Sequence, residues 1–322
     1  MKKTLSLLLL LSLVLSLASC GQKTTTDDPV AAATLAESYQ SYLDTAEPSY
    51  AYDIALELTT NPEYFNAEQG GRNAGSDAEH AAADYLVGVM KDIGLADVEK
   101  QAAQCDRWQF NSASLTIDGK DYNVYTYATA STPAEGLTAE VVYVNKGTRQ
   151  DYEGLDVTGK IVLLDIDQRN DWWITYPMLE AMHQGAVGVL AANVGGFAQI
   201  ADDALNSQDI CGPVGIPTLS IGVADAKEIQ EKLKAGSVSA TMKVDNEVEI
   251  DAGTTYNITG VLKGKSSDHQ ILVGGHYDVH FQGFQDDNCA VGLVLAMANA
   301  MAKSGYQPEN DIILCLHRAA EW

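Results

Sequence analysis

The sequence predicts an α/β protein with a mixed, mainly parallel sheet that is flanked by helices and interrupted by a second α/β unit. Two observations carry this prediction. Apolar strand patterns alternate with helix patterns between residues 139 and 244, and a separate strand–helix–strand pattern follows residue 244. The chain has 322 residues, more than a typical single domain, and its 46% hydrophobic content is ample for a packed core.

The first residues have the pattern of a targeting segment. Two lysines precede a Leu-rich, uncharged run over 4–17, which is shorter than the roughly 20 apolar residues of a membrane span. The Leu-Ala-Ser-Cys sequence that follows resembles the bacterial lipobox. We therefore predict a lipoprotein signal peptide over 1–20, lipid attachment at Cys20, and a polar tether over 21–33. An ordinary secretory signal with an incidental cysteine is the alternative.

Residues 34–130 are predicted to form the first part of the main domain. Ser76 and Glu79 have the spacing of a capping box, and the apolar residues that follow fall on one helical face as far as Gly94. Residues 97–127 alternate polar and apolar side chains, which is typical of half-buried strands.

Residues 131–244 are predicted to form a self-contained α/β insert. Strands are expected at 141–144, 160–165, 187–192 and 216–221, with helices at 176–184 and 224–234. The segments Asp-Val-Thr-Gly-Lys-Ile-Val-Leu over 156–163 and Ile-Pro-Thr-Leu-Ser over 216–220 resemble a protease-associated domain. That resemblance implies an insert without catalytic residues of its own.

Residues 245–322 return to the main domain. Buried strands are predicted at 270–275 and 311–316, with a helix over 287–303 between them. A strand, a helix and a strand in this length indicate a parallel crossover, which is right-handed in nearly all proteins.

Both of these strands end in residues that can bind a metal. His276 and Asp278 follow the first strand, Glu321 follows the second, and Asp286 precedes the helix. Ligands of open α/β sheets sit beyond the carboxyl ends of the strands, so we expect these residues to meet at one edge. One imidazole and two carboxylates suit zinc, and Asp278 is placed to orient the imidazole.

Three motifs in this region carry a family resemblance. The sequences Gly-His-Tyr-Asp over 275–278, Gly-Phe-Gln-Asp-Asp-Asn over 283–288 and Ala-Ala-Glu-Trp over 319–322 resemble those of the co-catalytic zinc aminopeptidases. That family includes bacterial leucyl-type aminopeptidases and relatives of glutamate carboxypeptidase. The resemblance implies a zinc-exopeptidase-like fold with two zinc ions in the complete enzyme. It makes His276 a ligand of one zinc, Glu321 a ligand of the other, and Asp286 the bridge between them.

The resemblance also implies that the peptide bond between Asp286 and Asp287 is cis. Two departures from the family pattern bear on activity. Ala320 occupies the position of the general base, whose loss typically costs about 10²–10⁴-fold in rate. Shifting the alignment by one residue would make Glu321 the base but would leave Trp322 at a ligand position. In addition, two further metal ligands of the family have no counterpart, so we expect weak or no zinc binding by a truncated chain.

Several functions stay open at this stage. The first is a lipid-anchored zinc exopeptidase that hydrolyses peptides outside the bacterial membrane, with carboxypeptidase or glutaminyl-cyclase-like chemistry as variants. The second is a non-catalytic lipoprotein that binds peptides or proteins through the insert, and the third is a truncated, non-functional product. The net charge of −24 argues against nucleic acid, whose phosphates would be repelled. His280 is expected to be a loop residue rather than a ligand.

Overall fold

The computed structural model describes residues 40–66, 70–167, 169–170, 176–195, 201–205 and 215–321. The predicted signal peptide and tether, including Cys20, lie outside the described residues. Among the described residues, no helix combines the length and the apolar character that a membrane crossing requires.

The strands are β1 Gly71–Arg72, β2 Ala96–Ile117, β3 Lys120–Tyr122, β4 Val124–Tyr125, β5 Leu137–Tyr143, β6 Ile161–Asp167, β7 Gly188–Gly195, β8 Thr218–Ile221, β9 Ser239–Leu262, β10 Ser266–His276, β11 Val279–His280 and β12 Asn310–His317. A ten-stranded mixed sheet is the framework of the described chain, in the order β10-β12-β9-β5-β6-β7-β8-β4, with β2 paired to β9 and β3 to β2. The helices are α1 Pro48–Thr60, α2 Asp77–Ile93, α3 Tyr176–His183, α4 Val223–Ala235 and α5 Cys289–Ser304. This mixed α/β architecture confirms the predicted fold class.

Two long strands form the connection between the main domain and the insert. Strands β2 and β9 pair antiparallel along most of their length, from Ala96 opposite Val261 to Ile117 opposite Ala240. The sequence predicted half-buried strands over 97–127 but not their pairing with β9, because local alternation does not show which distant segment a strand pairs with. The predicted domain boundary at residue 244 lies within β9.

The helix predicted after the Ser76 capping signal is α2. Oγ of Ser76 accepts the backbone N–H of Glu79 at 3.1 Å, and Gly94 ends the helix with a φ of 89°, in the left-handed region that favours glycine. Glu79 does not complete the capping box, because its carboxylate accepts hydrogen bonds from other groups. Its side chain is therefore part of the protein interior.

The predicted crossover is confirmed as β10, α5 and β12. The two strands pair in parallel, with Ile271 opposite Ile312 and His276 opposite His317. Helix α5 packs on α1 at a close contact, where a Cβ added to Gly292 would lie 2.3 Å from the carbonyl oxygen of Ala51. The absence of a side chain at Gly292 allows the two helices to approach.

Apolar side chains collect in separate cores. One core contains side chains from α1, α2 and the segments from β9 onward, which lie on both sides of the insert in the sequence. Its members include Leu58, Leu86, Ile258 and Leu295. The two faces of the insert's sheet are covered by two further cores, around Leu163 on one face and Leu164 on the other. Successive side chains of β6 point to opposite faces of the sheet, so the neighbouring Leu163 and Leu164 belong to different cores.

Candidate metal centre

Three side chains that are distant in the sequence meet at the carboxyl edge of the neighbouring strands β10 and β12. Nε2 of His276 lies 3.2 Å from Oδ1 of Asp286 and 3.7 Å from Oε1 of Glu321. The parallel pairing of the strands brings the end of β10 level with the residues that follow β12. The structure thus places the three predicted ligands together, while their role as ligands stays a prediction.

The imidazole of His276 is held from behind by Asp278. Nδ1 of His276 lies 2.9 Å from the main-chain carbonyl oxygen of Asp278 and 3.5 Å from its Oδ1. When Nδ1 carries the proton it donates to that carbonyl, which leaves the lone pair of Nε2 free for a metal. Burial opposes charging the ring, but the hydrogen bond and charge of Asp278 outweigh it and raise the pKa of His276 to about 9.

Asp278 also joins the two strand ends. Its side chain is 1% exposed and accepts the backbone N–H groups of Ala320 at 3.2 Å and Glu321 at 2.8 Å. Burial favours the neutral acid, but hydrogen bonds from His276 and from these two amides outweigh it and lower the pKa of Asp278. Asp278 therefore fixes both the imidazole and the segment that carries Glu321.

A pair of adjacent acids supplies carboxylates beside the imidazole. Asp286 and Asp287 lie in the turn Phe284–Asn288, where their backbone angles are not helical, and are joined by a cis peptide bond. Oδ2 of Asp287 lies 3.9 Å from Nε2 of His276 and accepts the backbone N–H of His276 at 3.2 Å. One donor atom from each of His276, Asp286 and Asp287 lies within 4.8 Å of the other two. Burial, reinforced by the charge of Asp286, raises the pKa of Asp287 against the opposing effect of His276.

His280, expected in a loop, lies instead in the short strand β11 beside Glu321. Its Nε2 is 2.8 Å from Oε2 of Glu321, and the two side chains are only 10% and 11% exposed. Strand β11 pairs antiparallel with β1, which sets His280 opposite Gly71. The spacing of His276, Asp278 and His280 is the sequence signal that could have found this residue, since alternate residues of an extended segment share a face.

A fully buried arginine supports the turn that follows His276. The guanidinium of Arg72 donates to the carbonyl oxygens of Tyr277 at 2.5 Å, Leu58 at 2.9 Å and Tyr64 at 2.8 Å, and to Oδ1 of Asn288 at 2.5 Å. Burial lowers the pKa of Arg72 to about 10. Arg72 thereby links α1 to Tyr277, which follows His276, and to Asn288, which follows the acid pair. No local sequence pattern predicts this role for Arg72.

A buried carboxylate lies on the other side of the same turn. Glu79 accepts hydrogen bonds from the hydroxyl of Tyr277, from Oγ1 of Thr255 at 2.9 Å and from the backbone N–H of Gly75 at 3.2 Å. Burial raises the pKa of Glu79 above its ordinary value, and these hydrogen bonds oppose the rise. Tyr277 is therefore held at its main-chain carbonyl by Arg72 and at its hydroxyl by Glu79.

The donors present fit a divalent cation of the zinc type. Zinc takes imidazole nitrogen and carboxylate oxygen, and protein zinc sites commonly engage the second nitrogen of the histidine in a hydrogen bond. His276 meets both conditions, and the carboxylates of Asp286, Asp287 and Glu321 surround its Nε2. The described residues therefore supply a set of nitrogen and oxygen donors of the kind that binds zinc.

Two family models match the chain. Residues 257–321, which carry the cluster, match peptidase family M28, and residues 137–229 match the PA domain. The fold and the site agree with these matches, because the M28 segment contains the crossover and the PA segment contains the insert's parallel strands. These matches assign residues 257–321 to peptidase family M28 and residues 137–229 to the PA domain.

Individual proteins support the same assignment. The chain is 28% identical over 251 residues to "Probable leucine aminopeptidase 2" of Aspergillus fumigatus, a match that covers 77% of this chain and 48% of that protein. It is 25% identical over 263 residues to "Carboxypeptidase Q" of Bos taurus, covering 78% of this chain and 56% of that protein. The chain thus spans about half of the length of the curated relatives it matches.

A solved structure shares the fold. The crystal structure of a peptidase M28 precursor from Shewanella amazonensis SB2B superposes with a TM-score of 0.73 at 24% identity, and the match covers 88% of this chain and 67% of that chain. At this level of identity the similarity supports the architecture alone.

Proposed function

We propose that this chain carries the metal-binding part of a zinc exopeptidase that releases terminal residues from peptides. The observation that carries the proposal is the convergence of His276, Asp286 and Glu321 at the carboxyl edge of β10 and β12. The M28 match over the same residues and the aminopeptidase and carboxypeptidase names of the relatives support it. Aminopeptidase action is our first assignment, with carboxypeptidase action as the variant.

Zinc is the metal that we propose for the cluster. The chemistry that zinc supplies in such sites is polarisation of the scissile carbonyl group and activation of a water molecule. The chain's own residues prepare the site: Asp278 orients His276 and anchors Glu321, and the turn beyond β10 presents Asp286 to solvent with a 68% exposed side chain. A second zinc ion is an extension of this proposal that follows from the family resemblance.

Low activity is part of the proposal, because Ala320 stands where the family has its general base. The residue is exposed, and only its backbone N–H contacts Asp278. A methyl group cannot accept a proton, and the missing base would lower the rate by about 10²–10⁴-fold.

Ala320 also supports a second candidate function. A chain that retains the fold but has no base could act as a peptide- or protein-binding module through its PA domain. A pull-down of peptides with the full chain, compared with an unrelated protein of similar net charge, would test this candidate. Equal capture of peptides by both proteins would count against it.

We further propose that the protein is exported and attached through lipid on Cys20 to the outer face of the cell membrane. The support is the lipobox-like sequence alone. Metabolic labelling with palmitate in a bacterial host should mark the wild-type chain and not the Cys20→Ala variant.

The catalytic proposal is tested by assaying the zinc-loaded full chain against aminoacyl arylamides and against dipeptides with a blocked amino terminus. Slow hydrolysis of the arylamides that is lost in His276→Ala supports aminopeptidase action. Cleavage of only the blocked dipeptides supports the carboxypeptidase variant. Zinc binding without hydrolysis of either set would contradict the catalytic proposal.

A further inference from the structure

A buried tyrosine at the edge of the insert touches the candidate metal centre. The ring of Tyr127 meets the ring of His280 edge to face, with centroids 4.6 Å apart and an interplanar angle of 72°. His280 in turn lies 2.8 Å from Oε2 of Glu321. A short path of contacts therefore leads from Tyr127 to a carboxylate of the cluster.

The two oxygens of Glu321 face different histidines. Oε2 lies next to His280, whereas Oε1 lies 3.7 Å from Nε2 of His276. Because both oxygens belong to one planar carboxylate, a contact at Oε2 restricts the positions that Oε1 can take. Because the carboxylate is only 11% exposed, water cannot easily take over the role of His280.

Tyr127 is buried and is held by contacts at its hydroxyl and at its ring. Its side chain is 1% exposed, its hydroxyl donates to Oδ1 of Asn73 at 2.9 Å, and its ring packs against Trp108 with centroids 4.5 Å apart. The preceding residue is tied to the insert's sheet, since Oγ1 of Thr126 donates to the carbonyl oxygen of Thr218 at 2.9 Å. Thr218 begins β8, which lies within the PA match.

We propose that Tyr127 is a positioning residue for the metal centre and that it couples the PA domain to Glu321 through His280. This inference rests on the proposed metal-binding function and extends it to a residue outside the M28 match. The PA domain would then contribute to metal affinity without supplying a ligand.

Three variants of the full chain test the inference. Tyr127→Leu removes the contact with His280, whereas Tyr127→Phe keeps the ring and loses only the hydroxyl. The matched control is Tyr152→Leu, because Tyr152 belongs to the same core and is 4% exposed, and the described residues show no ring contact between it and His280. A merely structural role would affect the two leucine variants alike.

Zinc affinity and the reactivity of His280 are the two readouts. Zinc competition with a chromophoric chelator should show a loss of about 10–100-fold for Tyr127→Leu, the range found when an outer partner of a metal ligand is removed. Tyr127→Phe and Tyr152→Leu should stay close to the wild type. In the metal-free protein, diethylpyrocarbonate should modify His280 markedly faster in Tyr127→Leu than in Tyr152→Leu, as followed by mass spectrometry.

The outcomes separate this inference from the proposed function. Equal reactivity of His280 in the two leucine variants would overturn the inference, with or without zinc. Equal loss of zinc affinity in both would overturn it as well. If the wild type binds no zinc while His280 is released only in Tyr127→Leu, the positioning contact stands and the metal-binding proposal fails.

Discussion

The carboxylate of Asp278 accepts the backbone N–H of Glu321 at 2.8 Å, across the space between the end of β10 and the segment after β12. The same side chain lies 3.5 Å from Nδ1 of His276. One buried acid thus sets the relative position of two candidate ligands that are 45 residues apart by their numbers, 321 and 276. The geometry of the centre therefore depends on residues that touch no metal.

The first prediction concerns Asp278→Asn. The amide keeps the shape but loses the negative charge that supports His276, so zinc affinity should fall by about 10–100-fold. Isothermal titration of the full chain with zinc measures the change. Asp311→Asn is the matched control, because Asp311 is also buried and accepts a backbone N–H, that of Gly264 at 2.8 Å. An equal loss of affinity in both variants would show that Asp278 acts only through stability.

The second prediction concerns the general base. Ala320→Glu places a carboxylate at the position that the family resemblance assigns to the base, and hydrolysis of an aminoacyl arylamide should rise by about 10²–10⁴-fold. The rate at saturating substrate and zinc is the measurement. Ala320→Gln has nearly the same size but cannot take a proton, so it should remain at the wild-type rate. Equal rates for the two variants would contradict the assignment.

The third prediction concerns the buried arginine. The guanidinium of Arg72 donates to several acceptors at once, and the single ammonium group of Arg72→Lys cannot reach all of them. Each buried carbonyl left without a donor costs roughly 1–3 kcal/mol. We expect a loss of about 2–4 kcal/mol in the free energy of unfolding. Arg107→Lys serves as the control, because Arg107 is 58% exposed and its Nη1 lies 3.6 Å from Glu249. Denaturant titration of both variants gives the comparison, and similar losses would refute the structural role of Arg72.

The fourth prediction concerns the effect of Glu79 on the pH dependence of stability. Its carboxyl group faces the hydroxyls of Tyr277 and Thr255, the N–H of Gly75 and the ring of His80, which lies at 3.6 Å. Burial raises its pKa in the folded state above the ordinary value of 4.5.

A raised pKa means that the folded protein holds the proton more tightly than the unfolded chain. The stability from this group is therefore fully present below 4.5 and is lost as the pH rises through the folded pKa. The free energy of unfolding of the wild type should fall relative to Glu79→Gln as the pH rises above about 4.5. Parallel pH profiles for the two proteins would rule out this linkage.

The fifth prediction concerns the contact between α1 and α5. Gly292→Ala should destabilise the protein by about 1–3 kcal/mol, because the new methyl group would overlap the carbonyl oxygen of Ala51. Gly88→Ala is the matched control, since Gly88 lies in α2 with nothing within 4 Å of an added Cβ. That control should gain roughly 0.5–1 kcal/mol from helix propensity. Thermal unfolding of both variants decides between them, and a stable Gly292→Ala would contradict the packing.

Local signals in the sequence predicted much of the main fold. Ser76 and Gly94 mark the ends of α2, and the apolar strands that end at His276 and His317 predict the parallel crossover. Because parallel strands present their carboxyl ends at one edge, the sequence also predicted that His276, Asp286 and Glu321 would meet. Each of these inferences needs only short-range patterns and one topological rule.

The remaining features depend on contacts that no local pattern contains. Arg72 reaches Asn288 across 216 positions, and the ring of Tyr127 meets that of His280, which is likewise distant in the sequence. The continuity of β2 and β9 likewise depends on pairing between two strands separated by the whole insert. Such contacts are fixed by the register of long strands, which is set by the packing of the complete core.

Zinc binding by the purified full chain is the most direct test of the central claim. Equilibrium dialysis against zinc, with metal quantified by mass spectrometry, should show saturable binding by the wild type. Binding should be lost in His276→Ala and weakened in Asp286→Asn. Wild-type binding that survives both substitutions unchanged, or no saturable binding by the wild type, would contradict the assignment of this cluster as a metal centre.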